Sequence, residues 1–166
     1  MAQSLDQTAK QLGEILPSSG LHLATAESCT AGLISMTLAA VENSGNFYTS
    51  GFVTYSENAK IRLLEVRPST LEQHTAVSEQ TVREMAQGAC ARSGEPVGLS
   101  ISGYAGPDGG EDGTLAGTIW FGWVLPNARD DAECRQFSGD PKSVMEQGAQ
   151  FALAGLIKRL QLPDKA

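Results

Sequence analysis

Residues 21–41 read LHLATAESCTAGLISMTLAAV, and this one stretch indicates the fold class. Its first part, residues 21–26, is short and mostly apolar, as expected for a strand. Its second part, residues 31–41, is long enough for a helix, and Ser28 or Thr30 is a candidate N-cap for it. The stretch therefore predicts a strand, a turn at Ser28 and a helix, which is the repeating unit of an α/β sheet.

The rest of the chain continues this alternation of strands and helices. Further helices are predicted at residues 3–16, 57–65 and 142–160. Ser69 and Glu72 form a predicted capping box at the start of another helix, and Ser78 is the predicted cap of a longer helix that ends near Gly94. Further strands are predicted at residues 51–55, 97–101, 117–125 and 133–138, with a hairpin turn at residues 126–131. We therefore expect a three-layer α/β/α sandwich with a mixed sheet of about five strands, one of them antiparallel.

Length and composition favour one globular domain over residues 1–166. The net charge is −7 and the basic residues are scattered, which argues against nucleic acid as a partner. The N-terminus lacks a signal-peptide pattern and no apolar run is long enough to span a membrane, so we expect a cytoplasmic protein. The three cysteines and two histidines have no ligand spacing, so we expect neither a metal nor a disulfide framework.

Three loops follow the carboxyl ends of predicted strands, at residues 27–30, 55–60 and 102–110. In open α/β sheets, ligands bind outside these strand ends. The third loop contains GYAGPDGG, residues 103–110, which matches neither a dinucleotide fingerprint nor a P-loop. Such a loop lets backbone approach a ligand closely or forms an anion-binding nest, although it is also compatible with a flexible turn.

Ser28 is a candidate nucleophile, because free N–H groups at a helix N-terminus can stabilise an oxyanion. The alternative is a simple N-cap serine. Neither histidine is well placed as a base, which leaves Lys60, whose pKa must then fall by about 2–3 units through burial. Tyr55 is a candidate proton relay. A surface lysine, a core tyrosine and a nucleophilic Cys29 remain alternatives.

Several ordered motifs resemble the CinA C-terminal domain family. They are TAESCTAGL at 25–33, GFVTYSENAK at 51–60, LEQHTAVS at 71–78, ISGYAGPDGG at 101–110 and GTIW at 117–120. The resemblance implies a mixed α/β/α sheet, no metal or cofactor, a small-molecule nucleotide substrate and a homo-oligomer. It also implies hydrolysis of the amide of nicotinamide mononucleotide (NMN) to nicotinate mononucleotide and ammonia.

The resemblance also implies residue roles, with Ser28 as nucleophile and Lys60 and Tyr55 completing the catalytic group. The substrate-binding residues expected with them are Glu27, Thr30, Ser102, Gly103, Ala105, Gly106 and Lys142.

Three positions depart from the family pattern. Ala31 and Tyr104 are bulkier than usual, and Pro141 replaces an arginine suited to a phosphate. Only Lys142 remains as a cation there. A catalytically silent paralogue that binds a nucleotide or partner, and an amidase for a related substrate without a phosphate, are therefore alternatives.

Overall fold

The computed structural model describes residues 3–163. The strands are β1 (Leu23–Glu27), β2 (Tyr48–Val53), β3 (Val97–Gly103), β4 (Thr118–Leu125) and β5 (Arg129–Gln136). The helices are α1 (Leu5–Ser18), α2 (Leu33–Ala39), α3 (Glu57–Leu64), α4 (Pro68–His74), α5 (Glu79–Ser93) and α6 (Pro141–Leu160). Strands and helices alternate through most of the chain, as the sequence predicts.

The five strands form one sheet in the order β2-β1-β3-β4-β5. Strand β1 pairs in parallel with β2 and β3, whereas β4 is antiparallel to both β3 and β5. Only β4 therefore runs against the other four strands. The predicted mixed sheet with one antiparallel strand is confirmed.

Helices cover both faces of the sheet. Apolar residues of α1, α2 and α6 form one buried cluster with the sheet, and those of α3, α4 and α5 form a second cluster on the other side. Neighbouring side chains of β1 point to opposite faces of the sheet, since Leu23 belongs to the first cluster and Ala24 belongs to the second. The result is the three-layer sandwich expected from the sequence.

Two predicted helix starts are wrong. Helix α2 begins at Leu33, because Ala31 and Gly32 have positive φ angles of 49° and 104° and hold the chain out of the helix. Neither Ser28 nor Thr30 is its N-cap. Helix α4 begins at Pro68 without a side-chain cap, so the predicted capping box at Ser69 is absent.

Two strand bounds also differ from the prediction. Strand β2 begins at Tyr48, three residues early, and β5 begins at Arg129 rather than at residue 133. Both are edge strands with partly exposed polar residues, which hide the apolar signal used to place them.

Candidate active site

Ser28 follows directly on β1, near the centre of the sheet. Its backbone N–H donates to the carbonyl oxygen of Ile101 in β3 (3.0 Å), and its own carbonyl oxygen accepts from the N–H of Ala31 (3.1 Å). The residue is only 7% exposed. The backbone of β3 and the turn that follows β1 therefore fix the position of the Ser28 backbone.

Lys60 meets Ser28 from the second loop. Its Nζ donates to Ser28 Oγ at 2.8 Å and to the carbonyl oxygen of Thr54 at 2.7 Å, and the residue is 1% exposed. Helix α3, which carries Lys60, is capped by the hydroxyl of Ser56, which accepts from the N–H of Ala59 at 3.1 Å. The predicted approach of Ser28 and Lys60 is therefore found, and it is direct.

Burial also changes the chemistry of this lysine. The loss of solvation lowers the pKa of Lys60 from 10.5 to about 8, although the negative charge of Glu57 opposes the change. At a pH near this pKa, a large fraction of the amine is neutral and has a lone pair. A neutral amine 2.8 Å from Ser28 Oγ can accept the hydroxyl proton, as a general base requires.

Cys29 is a poor alternative nucleophile. Burial raises the pKa of its thiol to about 12, so the thiol stays protonated near neutral pH. Of the two adjacent side chains, only Ser28 has a hydrogen-bonded base.

Glu27 has a structural setting different from the one predicted. Its fully buried carboxylate accepts four hydrogen bonds, from Thr30 Oγ1 (2.7 Å), Ile34 N (2.8 Å), Ser35 N (3.0 Å) and Ser35 Oγ (2.7 Å). The carboxylate thus occupies the N-terminus of α2. This corrects the expectation that free N–H groups of the helix stabilise an oxyanion at Ser28, and it leaves Glu27 and Thr30 outside the cleft.

The pair opens into a cleft of about 290 Å³. Ser28, Cys29 and Lys60 form its floor, residues 102–106 and 76–77 form its wall, and Tyr55, Glu57 and Asp108 form its rim. A larger cavity of about 510 Å³ lies against α1 and the end of α2, but its lining contains no serine or cysteine. The smaller cleft, which contains Ser28 and Lys60, is therefore the candidate active site.

Four predicted binding residues form most of the wall: Ser102, Gly103, Ala105 and Gly106. A Cβ atom on Gly103 would lie 2.5 Å from the carbonyl oxygen of Thr118, so only glycine fits there. The backbone N–H groups of Ala105 and Gly106 find no acceptor within residues 3–163. They are therefore candidates for binding a carbonyl or oxyanion in the cleft.

The other two predicted residues lie farther from the reacting pair. Tyr55 is 71% exposed on the rim, and the described part of the chain gives it no hydrogen bond to Ser28 or Lys60. Lys142 is exposed in the first turn of α6 and does not line the cleft. Pro141 is at the start of that helix, which Asp140 caps by accepting from Ser143 N at 2.8 Å.

Two features of the wall and floor were missed from the sequence. The segment before α5 lines the cleft, where the carbonyl oxygen of Ala76 accepts from Ser102 Oγ at 2.8 Å. The carbonyl oxygen of Thr54 anchors Lys60. In the sequence, the segment before α5 is indicated only by the family motif at residues 71–78. The contact of Lys60 with the carbonyl oxygen of Thr54 is not indicated at all, because a backbone carbonyl is the same for every residue type.

The structure gives no indication of a metal centre within residues 3–163, where no group of three or more histidine, cysteine or acidic side chains is arranged around a common point. In the same range, no helix is both long and apolar enough to cross a membrane.

Comparison with known proteins agrees with this architecture. The model of the CinA C-terminal domain matches residues 5–160. The chain belongs to the CinA C-terminal domain family. Members of this family include the nicotinamide-nucleotide amidohydrolase PncC of Enterobacter agglomerans, which is 44% identical to this chain over 93% of the chain and 94% of that protein.

Two further proteins are similar over nearly the whole chain. Protein YdeJ of Escherichia coli is 41% identical over 95% of this chain and 91% of that protein. The crystal structure of a competence or damage-inducible protein from Enterobacter asburiae is 45% identical, covers 96% of this chain and 100% of that one, and superposes with a TM-score of 0.94. The α/β fold is therefore that of the CinA superfamily.

Proposed function

We propose that this chain hydrolyses the carboxamide of NMN, or of a close relative of NMN with the same amide, to a carboxylate and ammonia. The observation that carries the proposal is the buried contact of 2.8 Å between Lys60 Nζ and Ser28 Oγ. The substrate class is supported by relatives such as PncC, whose name is nicotinamide-nucleotide amidohydrolase. Hydrolysis through a serine and a lysine needs no cofactor.

The first half of the proposed reaction forms an acyl-enzyme. Neutral Lys60 takes the proton of the Ser28 hydroxyl while Oγ attacks the amide carbon and the carbonyl oxygen becomes an oxyanion. The N–H groups of Ala105 and Gly106 are the candidates for binding that oxyanion, since both residues line the cleft and neither N–H has an acceptor within residues 3–163. The C–N bond then breaks, and the proton held by Lys60 passes to the leaving nitrogen, which departs as ammonia.

The second half regenerates the serine. Lys60, neutral again, removes a proton from a water molecule that attacks the acyl carbon. The intermediate collapses, the Ser28 oxygen leaves and takes the proton from Lys60, and the carboxylic acid is released.

The experiment is a measurement of ammonia release from NMN by the wild-type protein, Ser28→Ala and Cys29→Ala. We expect release by the wild type and by Cys29→Ala, and a loss of about 10³-fold or more in Ser28→Ala. A folded wild-type protein that releases no ammonia from NMN, nicotinamide riboside or nicotinamide contradicts the proposal. That result favours a catalytically silent paralogue.

Two further expectations stay predictions: a homo-oligomeric state, which light scattering of the purified protein measures, and a cytoplasmic location.

A further inference from the structure

We propose that Tyr48 is a positioning residue for the reaction at Ser28, and that it acts through a chain of hydrogen bonds that ends on Glu27. The members of this positioning chain are Thr25, Tyr48, Ser35 and Glu27. None of these four side chains lines the cleft, so they touch the reaction only through other residues. The inference rests on the proposed function, since it names the groups that hold the reacting pair of the same site.

The positioning chain is continuous and runs in one direction. Thr25 Oγ1 lies 2.8 Å from the hydroxyl oxygen of Tyr48. The Tyr48 hydroxyl donates to Ser35 Oγ at 2.9 Å, and Ser35 Oγ donates to Glu27 Oε2 at 2.7 Å. Each hydroxyl has one hydrogen, and Ser35 gives its own to the carboxylate, so Tyr48 must donate to Ser35 and must accept from Thr25. Each bond therefore supports the next, and the series ends on the residue that precedes Ser28.

The positioning chain joins three elements of the fold. Thr25 and Glu27 are two residues apart in β1, so both side chains lie on the same face of the sheet, and both are fully buried. Tyr48 is the first residue of β2, and Ser35 is in the first turn of α2. A movement of α2 or β2 relative to β1 would break at least one of the bonds. The chain therefore holds both elements against β1.

On the side of α2, the positioning chain acts on the turn that contains Ser28. The carboxylate of Glu27 binds Ser35 through Oε2, and through Oε1 it accepts from Thr30 Oγ1 at 2.7 Å and from the N–H of Ile34 at 2.8 Å. A carboxylate that is held at one oxygen has less freedom to move away from its partners at the other. The turn that carries the nucleophile is therefore fixed from behind.

On the side of β2, the positioning chain acts on the anchor of Lys60. Thr54 directly follows β2, and its carbonyl oxygen accepts from Lys60 Nζ at 2.7 Å. The N–H of Thr54 donates to the carbonyl oxygen of Glu27 at 2.8 Å, which fixes the end of the strand. Tyr48 holds the beginning of the same strand. The contact of 2.8 Å between Lys60 Nζ and Ser28 Oγ therefore depends on two elements that the chain holds together.

Gly51 of β2 leaves the space that the positioning chain occupies. A Cβ atom at this position would overlap the hydroxyl oxygen of Tyr48 and would lie 2.6 Å from Ser35 Oγ, so a larger residue would displace the hydroxyls. Burial and the negative charge of Glu27 raise the pKa of the Tyr48 hydroxyl. The hydroxyl therefore keeps its hydrogen at neutral pH and can donate it to Ser35.

The experiment measures kcat and KM for ammonia release from NMN, together with the free energy of unfolding, in four variants. Tyr48→Phe removes the hydroxyl and keeps the ring, Ser35→Ala breaks the same bond from α2, and Ser35→Thr keeps a hydroxyl at that position. Thr8→Val is the matched control, because Thr8 is also fully buried and its Oγ1 accepts from Gln150 Nε2 at 2.8 Å. That bond joins α1 to α6, and neither residue lines the cleft.

We expect kcat to fall by about tenfold in Tyr48→Phe and in Ser35→Ala, because the reacting atoms are less well aligned. KM should stay within about twofold of the wild-type value, because the lining of the cleft is unchanged. Ser35→Thr should keep kcat within about threefold of the wild type. Thr8→Val should lose about as much stability as Tyr48→Phe but keep its kcat.

Amide hydrogen exchange tests the same inference without turnover. The N–H of Ser28 donates to the carbonyl oxygen of Ile101, and the N–H of Ala31 donates to that of Ser28, so the two exchange rates report how firmly the turn is held. In Tyr48→Phe both amides should exchange about tenfold faster than in the wild type. In Thr8→Val both rates should be unchanged.

Two outcomes overturn the inference. In the first, Tyr48→Phe loses stability as Thr8→Val does but keeps kcat and both exchange rates, which means that the chain has a structural role only. In the second, Ser35→Thr and Ser35→Ala lose kcat equally, so the hydroxyl is not the group that matters. A wild-type protein that releases no ammonia contradicts the proposed function alone. The exchange rates of Ser28 and Ala31 then decide this inference, since faster exchange in Tyr48→Phe supports it and unchanged exchange overturns it.

Discussion

At the floor of the cleft, the reacting groups are held by hydrogen bonds inside the protein, whereas at the rim the polar groups face solvent. Lys60 is 1% exposed and has two acceptors, but Tyr55 is 71% exposed. The same contrast separates two glutamates, since Glu27 is fully buried with four donors and Glu57 is exposed. A preorganised floor is suited to chemistry, and an open rim is suited to selecting the ligand.

The largest effect is expected at the floor. Lys60→Met keeps a long apolar side chain but removes the base, so kcat should fall by about 10³-fold or more. In the wild type, kcat should rise as the pH increases through about 8, because the reacting form of Lys60 is the neutral amine. The measurement is ammonia release between pH 6 and 10. A rate that is independent of pH around 8 would argue against Lys60 as the base.

The contrast between the buried Glu27 and the exposed Glu57 is tested by measuring the free energy of unfolding. Glu27→Gln places an amide nitrogen against a group of donors, so the free energy of unfolding should fall by about 2–4 kcal/mol. Glu57→Gln, on the exposed rim, should change it by less than about 0.5 kcal/mol. Urea unfolding at neutral pH measures both. Equal losses in the two variants would mean that the buried carboxylate does not hold the turn behind Ser28.

Lys60 also makes stability depend on pH. Its pKa is about 8 in the folded protein and 10.5 without burial, so between these values the unfolded state binds more protons. The free energy of unfolding therefore rises with pH through this window, while below pH 8 the cost of burying the charge is constant. The full gain is about 3 kcal/mol at 1.36 kcal/mol per pKa unit.

Other groups also titrate above pH 8, so the comparison is made against Lys60→Met. Urea unfolding of both proteins at pH 7 and pH 10 should show a larger increase in stability for the wild type. A parallel response of the two proteins would show that the pKa of Lys60 is not lowered by burial.

These contrasts also explain what the sequence could predict. Local apolar patterns predict the strand, turn and helix around Ser28. The loops that carry Ser28 and Lys60 both follow the carboxyl ends of parallel strands, so the predicted sheet brings the two residues together. The role of Glu27 was not predictable, because its four donors lie three to eight residues along the chain on a turn with two positive φ angles. Tyr55 and Lys142 were selected by motif position, which contains no information on exposure.

The smallest effect is expected at the start of α6, beyond the rim. Strands β5 and β3 end at the same end of the sheet, since Gln136 pairs with Thr118 and Gly103 pairs with Ile119, so the chain enters α6 from the end at which β3 leads into the cleft wall. In Pro141→Arg, a guanidinium is available to a substrate phosphate through charge-assisted hydrogen bonds of about 1.5–3 kcal/mol. NMN should therefore bind roughly 10- to 100-fold more tightly, and the affinity for nicotinamide riboside should be unchanged.

Lys142→Met is the matched control for Pro141→Arg, because it changes the neighbouring side chain in the same helical turn. Lys142 is exposed and does not line the cleft, so its removal should alter NMN affinity by less than about twofold. Calorimetry in a Ser28→Ala background measures both variants without turnover. If Pro141→Arg leaves NMN affinity within about twofold of the parent, the missing arginine does not limit phosphate binding, and Tyr104 and Ala31 become the residues to replace. If Lys142→Met weakens NMN binding tenfold, the lysine reaches the phosphate in the bound state, and the cleft extends to α6.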